Sequence, residues 1–202
     1  PDDPWWPERD RFIMSKGHCV PAQYAALAML GVIPMEELAT LKQLGSRLQG
    51  HPAMHLTPGL EGCTGSLGQG LSYANGMALA GRVQGLDYRV YCLLGDGELQ
   101  EGQVWEAVMT SAKHCLGNVT AIVDANGLKA MDETSCGKIL EPIGTRWAAM
   151  GWRARDIDGH DMVAICEALD WAKEGGDTPS VIVAHTVKGK GISFIEGQAP
   201  FH

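Results

Sequence analysis

Basic charge is scarce in this chain. Sixteen lysines and arginines stand against 24 aspartates and glutamates, a formal net charge of −8, and that balance argues against nucleic acid or an anionic membrane surface as a partner. No apolar run approaches the roughly 18 residues of a membrane span, and no charged-then-apolar signal segment opens the chain. The six cysteines (19, 63, 92, 115, 136 and 166) include no Cys-x-x-Cys pair. Several lie in apolar runs, so buried free thiols in a reducing cytoplasm fit better than disulfides or zinc. Internal repeats and low-complexity stretches are missing. So are a Walker A loop and a Gly-x-Gly-x-x-Gly loop, one of which a nucleotide-binding α/β protein would need. With 45% hydrophobic content over 202 residues, the chain can build one sizeable core, hence a single domain over 1–202.

The organising stretch runs from 88 to 132. An apolar, branched run at 90–94 reads as a buried strand that stops at Gly95-Asp96-Gly97. A second run at 119–123 stops at Asp124-Ala125-Asn126-Gly127, and 103–115 between them reads as a helix. One strand–helix–strand crossover therefore places Asp96 and Asn126 at the same edge of a parallel sheet, where ligands bind in open α/β folds. A carboxylate and an amide oxygen are hard ligands, suited to Mg2+ or Ca2+ rather than zinc. Two such ligands make too weak a cage alone. Mg2+ fills its shell with water and phosphate oxygens, so a phosphate-bearing cofactor is implied. The alternative for Gly-Asp-Gly is an ordinary turn, followed by an Asn-Gly turn.

The flanking segments fill out an α/β, doubly wound, mostly parallel sheet with helices on both faces. Residues 12–14 form a short strand, and Ser15-Lys16-Gly17-His18 a tight turn into a helix at 23–30. A second helix is expected over 34–44, with Pro34 near its start and Glu36 and Glu37 in its first turn. Trp5 and Trp6 look exposed, and Gly45 to Pro52 is a further turn presenting His51. Thr64-Gly65-Ser66-Leu67-Gly68-Gln69-Gly70 opens backbone N–H groups at the start of a long helix reaching about Val83, a natural place for phosphate or a polar ring edge. Small residues in that helix (Ala74, Gly76, Ala78, Ala80, Gly81) suggest a close helix–helix contact. Three acids, Glu98, Glu101 and Glu106, begin the next helix, and for Glu98 stabilisation of the positive helix terminus suffices. A short helix at 140–150, a strand at 152–158, a helix at 162–173 capped by Asp161 and a strand at 179–185 complete the order, with His160 packing beside its turn.

Segments 10–18, 44–52, 64–70, 95–106, 124–128, 151–152, 158–161 and 186–191 together resemble transketolase, in that family's order and with its approximate separations. The likeness covers essentially the whole chain and is nearest to the split form, in which the thiamine-diphosphate-binding half is a separate polypeptide. Gly-Asp-Gly-Glu-Leu-Gln-Glu-Gly-Gln-Val-Trp-Glu-Ala and Thr-Val-Lys-Gly-Lys-Gly are particularly like that form. The resemblance implies thiamine diphosphate as cofactor and Mg2+ (Ca2+ or Mn2+ as substitutes), held by Asp96, Asn126 and the backbone carbonyl of Leu128. It further implies that His18 and His202 contact the diphosphate and the reacting part of the sugar, and that His51 faces the donor's hydroxyls. Gly65 and Leu67 would line the aminopyrimidine. Gly95, Gly97, Glu98 and Lys188 would also contact the cofactor. Glu101 and Glu106 would lie at a subunit interface that links paired active sites, and Asp124 would support the ligands without being one.

Several positions depart from the family pattern. Ala125 replaces a larger or acidic residue, and the run from Lys129 to Glu133 differs from a shorter polar loop. The family pattern further expects an upstream segment carrying another cofactor-contacting histidine and a pyrimidine-binding domain with its activating glutamate, neither of which these 202 residues include. The expectation is therefore a cytoplasmic subunit, inactive alone, that joins a C-terminal transketolase-like subunit in an α2β2 assembly and transfers a two-carbon ketol unit from a small sugar substrate. Two alternatives share the scaffold: transfer of the unit to a carrier-protein thiol or lipoyl group, and a non-catalytic assembly subunit.

Overall fold

Short apolar runs that cannot shield both of their own faces must share a sheet, and they do. The computed structural model describes residues 3–129, 132–133 and 141–198. In chain order its elements are β1 (Arg11–Met14), α1 (Val20–Met29), α2 (Gly70–Gln84), β2 (Val90–Gly95), α3 (Gly102–Lys113), β3 (Val119–Ala125), β4 (Leu128–Lys129), β5 (Asp132–Glu133), α4 (Ile143–Ala149), β6 (Arg153–Asp158), α5 (Met162–Lys173) and β7 (Ser180–His185). The main sheet has five strands in the order β1-β2-β3-β7-β6, and every pairing in it is parallel. β4 and β5 form a separate antiparallel pair.

Helices cover both faces, as the alternation of elements requires. On one face Val90, Cys92, Leu94, Val119, Ala121, Val123, Val181 and Val183 join α2, α3 and α4 in the principal core. On the other, Ile182 packs with Ala168 and Ala172 of α5. A satellite core gathers Val20, Tyr24 and Ala28 of α1 with Ile33, Leu48 and Leu60. Trp147 is fully buried and meets Trp152 edge-on at 4.7 Å, a geometry in which ring edge and ring face attract. The close approach of α2 and α3 is partly as expected. Ala74 and Ala78 are buried while Gly76 and Ala80 face outward. The contact is fixed by a polar residue: Asn75 Nδ2 donates to the Ala107 carbonyl (2.9 Å) and its Oδ1 accepts from Ser111 Oγ (2.6 Å).

Two expectations are corrected. The helix over 34–44 is only a 3-10 turn, Met35–Thr40, none of whose residues is buried. Leu38 and Leu41 pack partly buried against the satellite core, but Lys42 takes a left-handed φ of +60°, which a continuing α-helix does not tolerate. The segment is also held by Arg47, which donates to both carboxylate oxygens of Glu37 (2.6 and 2.9 Å). Among the described cysteines all are free, but only Cys92 is buried; Cys63, Cys115 and Cys166 are exposed, and Cys136 lies outside the described residues. Burial pushes the Cys92 thiol pKa well up. Trp5 and Trp6 are exposed, and Asp161 caps α5 by accepting from Val163 and Ala164 N–H, both as expected. Among the described residues no helix is long and apolar enough to cross a membrane.

Candidate functional site

Parallel strands all end at one edge of the sheet, and here that edge collects the polar side chains. The β2–β3 register closes at Gly95 opposite Asp124, so Asp96 and Asn126 lie just past the tips of neighbouring strands. Asp96 Oδ1 accepts from Gly97 N–H (2.7 Å), capping the 3-10 turn Gly97–Gln100, and Oδ2 accepts from Gly127 N–H (2.7 Å). Asn126 Oδ1 accepts from Leu128 N–H (3.0 Å). The carboxylate after β2 and the amide after β3 thus share the turn at 126–128. That turn needs Gly127, whose φ of +74° is strained for any residue with a Cβ.

Asp124 lies between them and is wholly engaged by the protein. It accepts from Lys16 Nζ, from Thr186 Oγ1, and from Asn126 Nδ2 at 3.2 Å. Burial works to raise the Asp124 pKa, but Lys16 outweighs it with help from Thr186 and Asn126, and the net direction is down. Lys16 is itself buried. Burial would lower its pKa, yet the Asp124 carboxylate raises it overall. Asp96 goes the other way: burial lifts its pKa above the ordinary carboxylate value, and the Gly127 and Gly97 N–H groups only partly offset this. Two half-buried acids side by side therefore have opposite needs. One is neutralised by an internal lysine, whereas the other would gain from an external cation.

The glycine-rich stretch closes on the β1 turn. A Cβ on Gly17 would stand 2.3 Å from the Thr64 carbonyl oxygen, so that contact admits only glycine. The His51 ring packs against Gly65, its Cγ 3.4 Å from where a Cβ would be. The turn before His18 thus meets Thr64 and Gly65, and Gly65 meets His51; His18, Gly65 and His51 are all exposed. Leu67 beside them is half-buried.

Glu98 corrects its expectation. Its side chain is only 2% exposed, and it does more than offset a helix terminus. Oε1 accepts from Ser15 Oγ (2.5 Å) and Gly68 N–H (2.8 Å), and Oε2 from Gly95 N–H (3.0 Å). Gly70 N–H is likewise committed, to Ser15 Oγ (3.2 Å). The Gly68 and Gly70 donors expected for a phosphate are thus used internally, to weld the loop to the β2 tip. Glu101 and Glu106 lie exposed at the start of α3.

After β7, Thr186 N–H donates to the Ala125 carbonyl (3.1 Å), and Val187 N–H donates to His160 Nε2 (2.7 Å). Lys188 is half-buried. With Lys16, Asp124, Asn126 and Thr186 it lines the polar side of a cavity of about 520 Å³ whose apolar wall lies under α5. His202 lies outside the described residues. Among those described, no cluster of three or more His, Cys, Asp or Glu could hold a metal ion. Any cation must therefore draw on amide, backbone and ligand oxygens. Lys16 and Thr186 are the residues the motifs did not flag; a lysine at one strand tip with an acid at another was the available signal.

The sequence profile described as "Transketolase, thiamine diphosphate binding domain" matches residues 1–202. The chain is 45% identical over 202 residues to the 6-deoxy-6-sulfo-D-fructose transketolase subunit SqwG of Clostridium sp. strain MSTE9, covering 100% of this chain and 74% of that protein. It is 42% identical over 202 residues to an apulose-4-phosphate transketolase subunit of Phocaeicola vulgatus, covering 100% and 72%. A crystal structure of a Pichia stipitis transketolase matches with a TM-score of 0.95 at 33% identity, over 100% of this chain and 32% of that one.

Proposed function

The chain belongs to the transketolase family, as a thiamine diphosphate-binding domain, and we propose that it is the diphosphate-binding subunit of a two-chain enzyme that moves a two-carbon ketol unit between sugars. The observation that carries this reading is the shared turn: Gly127 N–H bonds Asp96 Oδ2 while Leu128 N–H bonds Asn126 Oδ1, which brings two hard oxygens from separate strand tips to one place. Asp96, Asn126 and the Leu128 carbonyl would hold Mg2+, with Ca2+ or Mn2+ as substitutes, leaving positions for water and diphosphate oxygens. Thiamine diphosphate, when bound, supplies the carbon nucleophile and the electron sink for carbon–carbon bond cleavage.

The chain's own residues supply position and charge. Lys16 neutralises Asp124, and Asp124 in turn engages the Asn126 amide nitrogen, which fixes the amide so that Oδ1 accepts from Leu128 N–H and would be the oxygen offered to the ion. Burial makes the Asp96 charge costly, a cost that a divalent ion relieves. His18 and His51, both exposed, would hydrogen-bond the sugar and exchange protons with it, and His202, outside the described residues, would be a third such group. Gly95, Gly97, Leu67 and Lys188 border the cofactor, and Glu98 serves it by holding the glycine-rich loop.

The partner is a companion subunit with the pyrimidine-binding domain, in a two-plus-two assembly, and the exposed Glu101 and Glu106 are free to enter that interface. Both subunit relatives above are named for ketoses that bear a terminal sulfo or phosphate group, so we take the donor to be a ketose with such an anionic end. Calorimetry on the chain with its companion tests the core of the reading. Thiamine diphosphate binding should require Mg2+, and Asp96→Ala should abolish it; unchanged affinity would overturn the assignment.

A further inference from the structure

The turn 158–161 and the loop after β7 are keyed together more closely than neighbouring loops need to be. Gly159 N–H donates to the His185 carbonyl (2.8 Å), and a Cβ on Gly159 would stand 2.4 Å from Thr186 Cγ2. His160 N–H is held by Asp158 Oδ1 (2.8 Å), while its ring Nε2 accepts the Val187 N–H at 2.7 Å. An imidazole nitrogen that accepts a hydrogen bond carries no proton, so this arrangement belongs to the neutral ring; imidazolium has two donors and no acceptor. Immediately before Val187, Thr186 donates to Asp124. Immediately after it comes Lys188, on the wall of the cavity that Lys16, Asp124 and Asn126 share.

We propose that His160 is a positioning residue: as neutral imidazole it clasps the Val187 backbone and so holds Thr186 and Lys188 at the cofactor site, and on protonation it releases them. The proposal rests on the functional reading above for what the loop serves, but the clasp itself is a property of this chain. His160 itself lines the cavity, with Lys16, Asp124, Lys188 and Lys190, and it borders a neighbouring groove with Asp156, Asp158 and His185 at the β6 and β7 tips; Glu196 holds Lys190 and Gly191 N–H. Asp161 is turned away to cap α5. Histidine is the side chain that exchanges charge between about pH 5 and 8. Both Val187 and His160 are exposed, so water takes over the released N–H and the change is that of one net hydrogen bond, an effect of up to about tenfold.

Two readouts test this, the first on the chain itself and the second on the chain with its companion subunit. The first is the hydrogen-exchange protection factor of the Val187 amide, which needs no cofactor. It should fall about tenfold in the wild type between about pH 8 and pH 5.5. In His160→Gln, whose amide oxygen accepts at any pH, it should stay level. In His160→Ala it should already be low at the higher pH. The second is Mg2+–thiamine diphosphate titration over the same interval, in which the wild type should lose about tenfold more affinity than His160→Gln. Comparing the two proteins cancels the ionisation of the diphosphate and of Asp96. A His160→Gln variant whose Val187 protection follows the wild-type pH profile would overturn the proposal, as would undiminished protection in His160→Ala. If the alanine variant does not fold, the glutamine comparison decides alone. Failure of the wild type to bind thiamine diphosphate at either pH would sink the proposed function, and the Val187 readout would still decide the clasp.

Discussion

Removing Lys16 should be felt well beyond the ion pair it makes. Its ammonium reaches across the tips of β1, β2 and β3 to Asp124, and the two side chains are 9% and 24% exposed. Deleting one partner of a buried pair typically costs about 3–5 kcal/mol, because the other charge stays buried and unpaired. A quarter-exposed Asp124 keeps some solvation and two other donors, which places Lys16→Met below that range, at about 2–3 kcal/mol. For a chain of this size that is a fall of about 4–12 °C in melting temperature. Asp124→Asn should cost a similar amount by stranding the lysine. The double variant should cost less than the two singles summed, by about 2 kcal/mol, since neither charge is left alone. Thermal or urea unfolding of the four proteins closes the cycle. Single variants within about 0.5 kcal/mol of the wild type, or a coupling near zero, would refute the view that this pair braces the strand tips.

The same groups give the stability a definite pH dependence. Asp124 has a lowered pKa in the fold, so its contribution is present above the ordinary aspartate value and lost as pH falls through the depressed one; Lys16 has a raised pKa, so its contribution is present below the ordinary lysine value and lost as pH rises through the elevated one. Asp96 runs opposite to Asp124. Its raised pKa means that ionisation costs stability, which the metal-free chain should regain as pH falls through the raised value, and Mg2+ with thiamine diphosphate should flatten that dependence in unfolding curves. Two glycines should part company: Gly17→Ala meets the Thr64 carbonyl and should destabilise by about 3 kcal/mol or more while weakening cofactor binding, whereas Gly76→Ala, in α2 with nothing within 4 Å of the new methyl, should stabilise by about 0.5–1 kcal/mol in the same melts.

Much of the site was legible in the residue order, because a crossover between parallel strands leaves their carboxyl ends at one edge whatever the rest of the chain does. Gly95-Asp96-Gly97 and Asp124-Ala125-Asn126-Gly127 are local motifs with that single geometric consequence, whereas the Gly127 N–H bond to Asp96 that joins them was seen only in the structure. The long helices were equally plain from their spacing. The segment 34–44 was not. Its helix-like opening residues speak to local preference, whereas the chain turns back at Lys42, whose φ is +60° and whose N–H donates to the Leu48 carbonyl, a reversal set by the loop that follows. Glu98, Lys16 and His160 show what tertiary structure alone could assign. Their partners lie 83, 108 and 27 residues away, and each bond exists because the sheet register and the seating of one turn on another bring a donor within 3 Å. Residue types are written in the chain, but which acid is spent inside the fold and which stays open to a ligand depends on distances that arise only when β1, β2, β3 and β7 stand side by side.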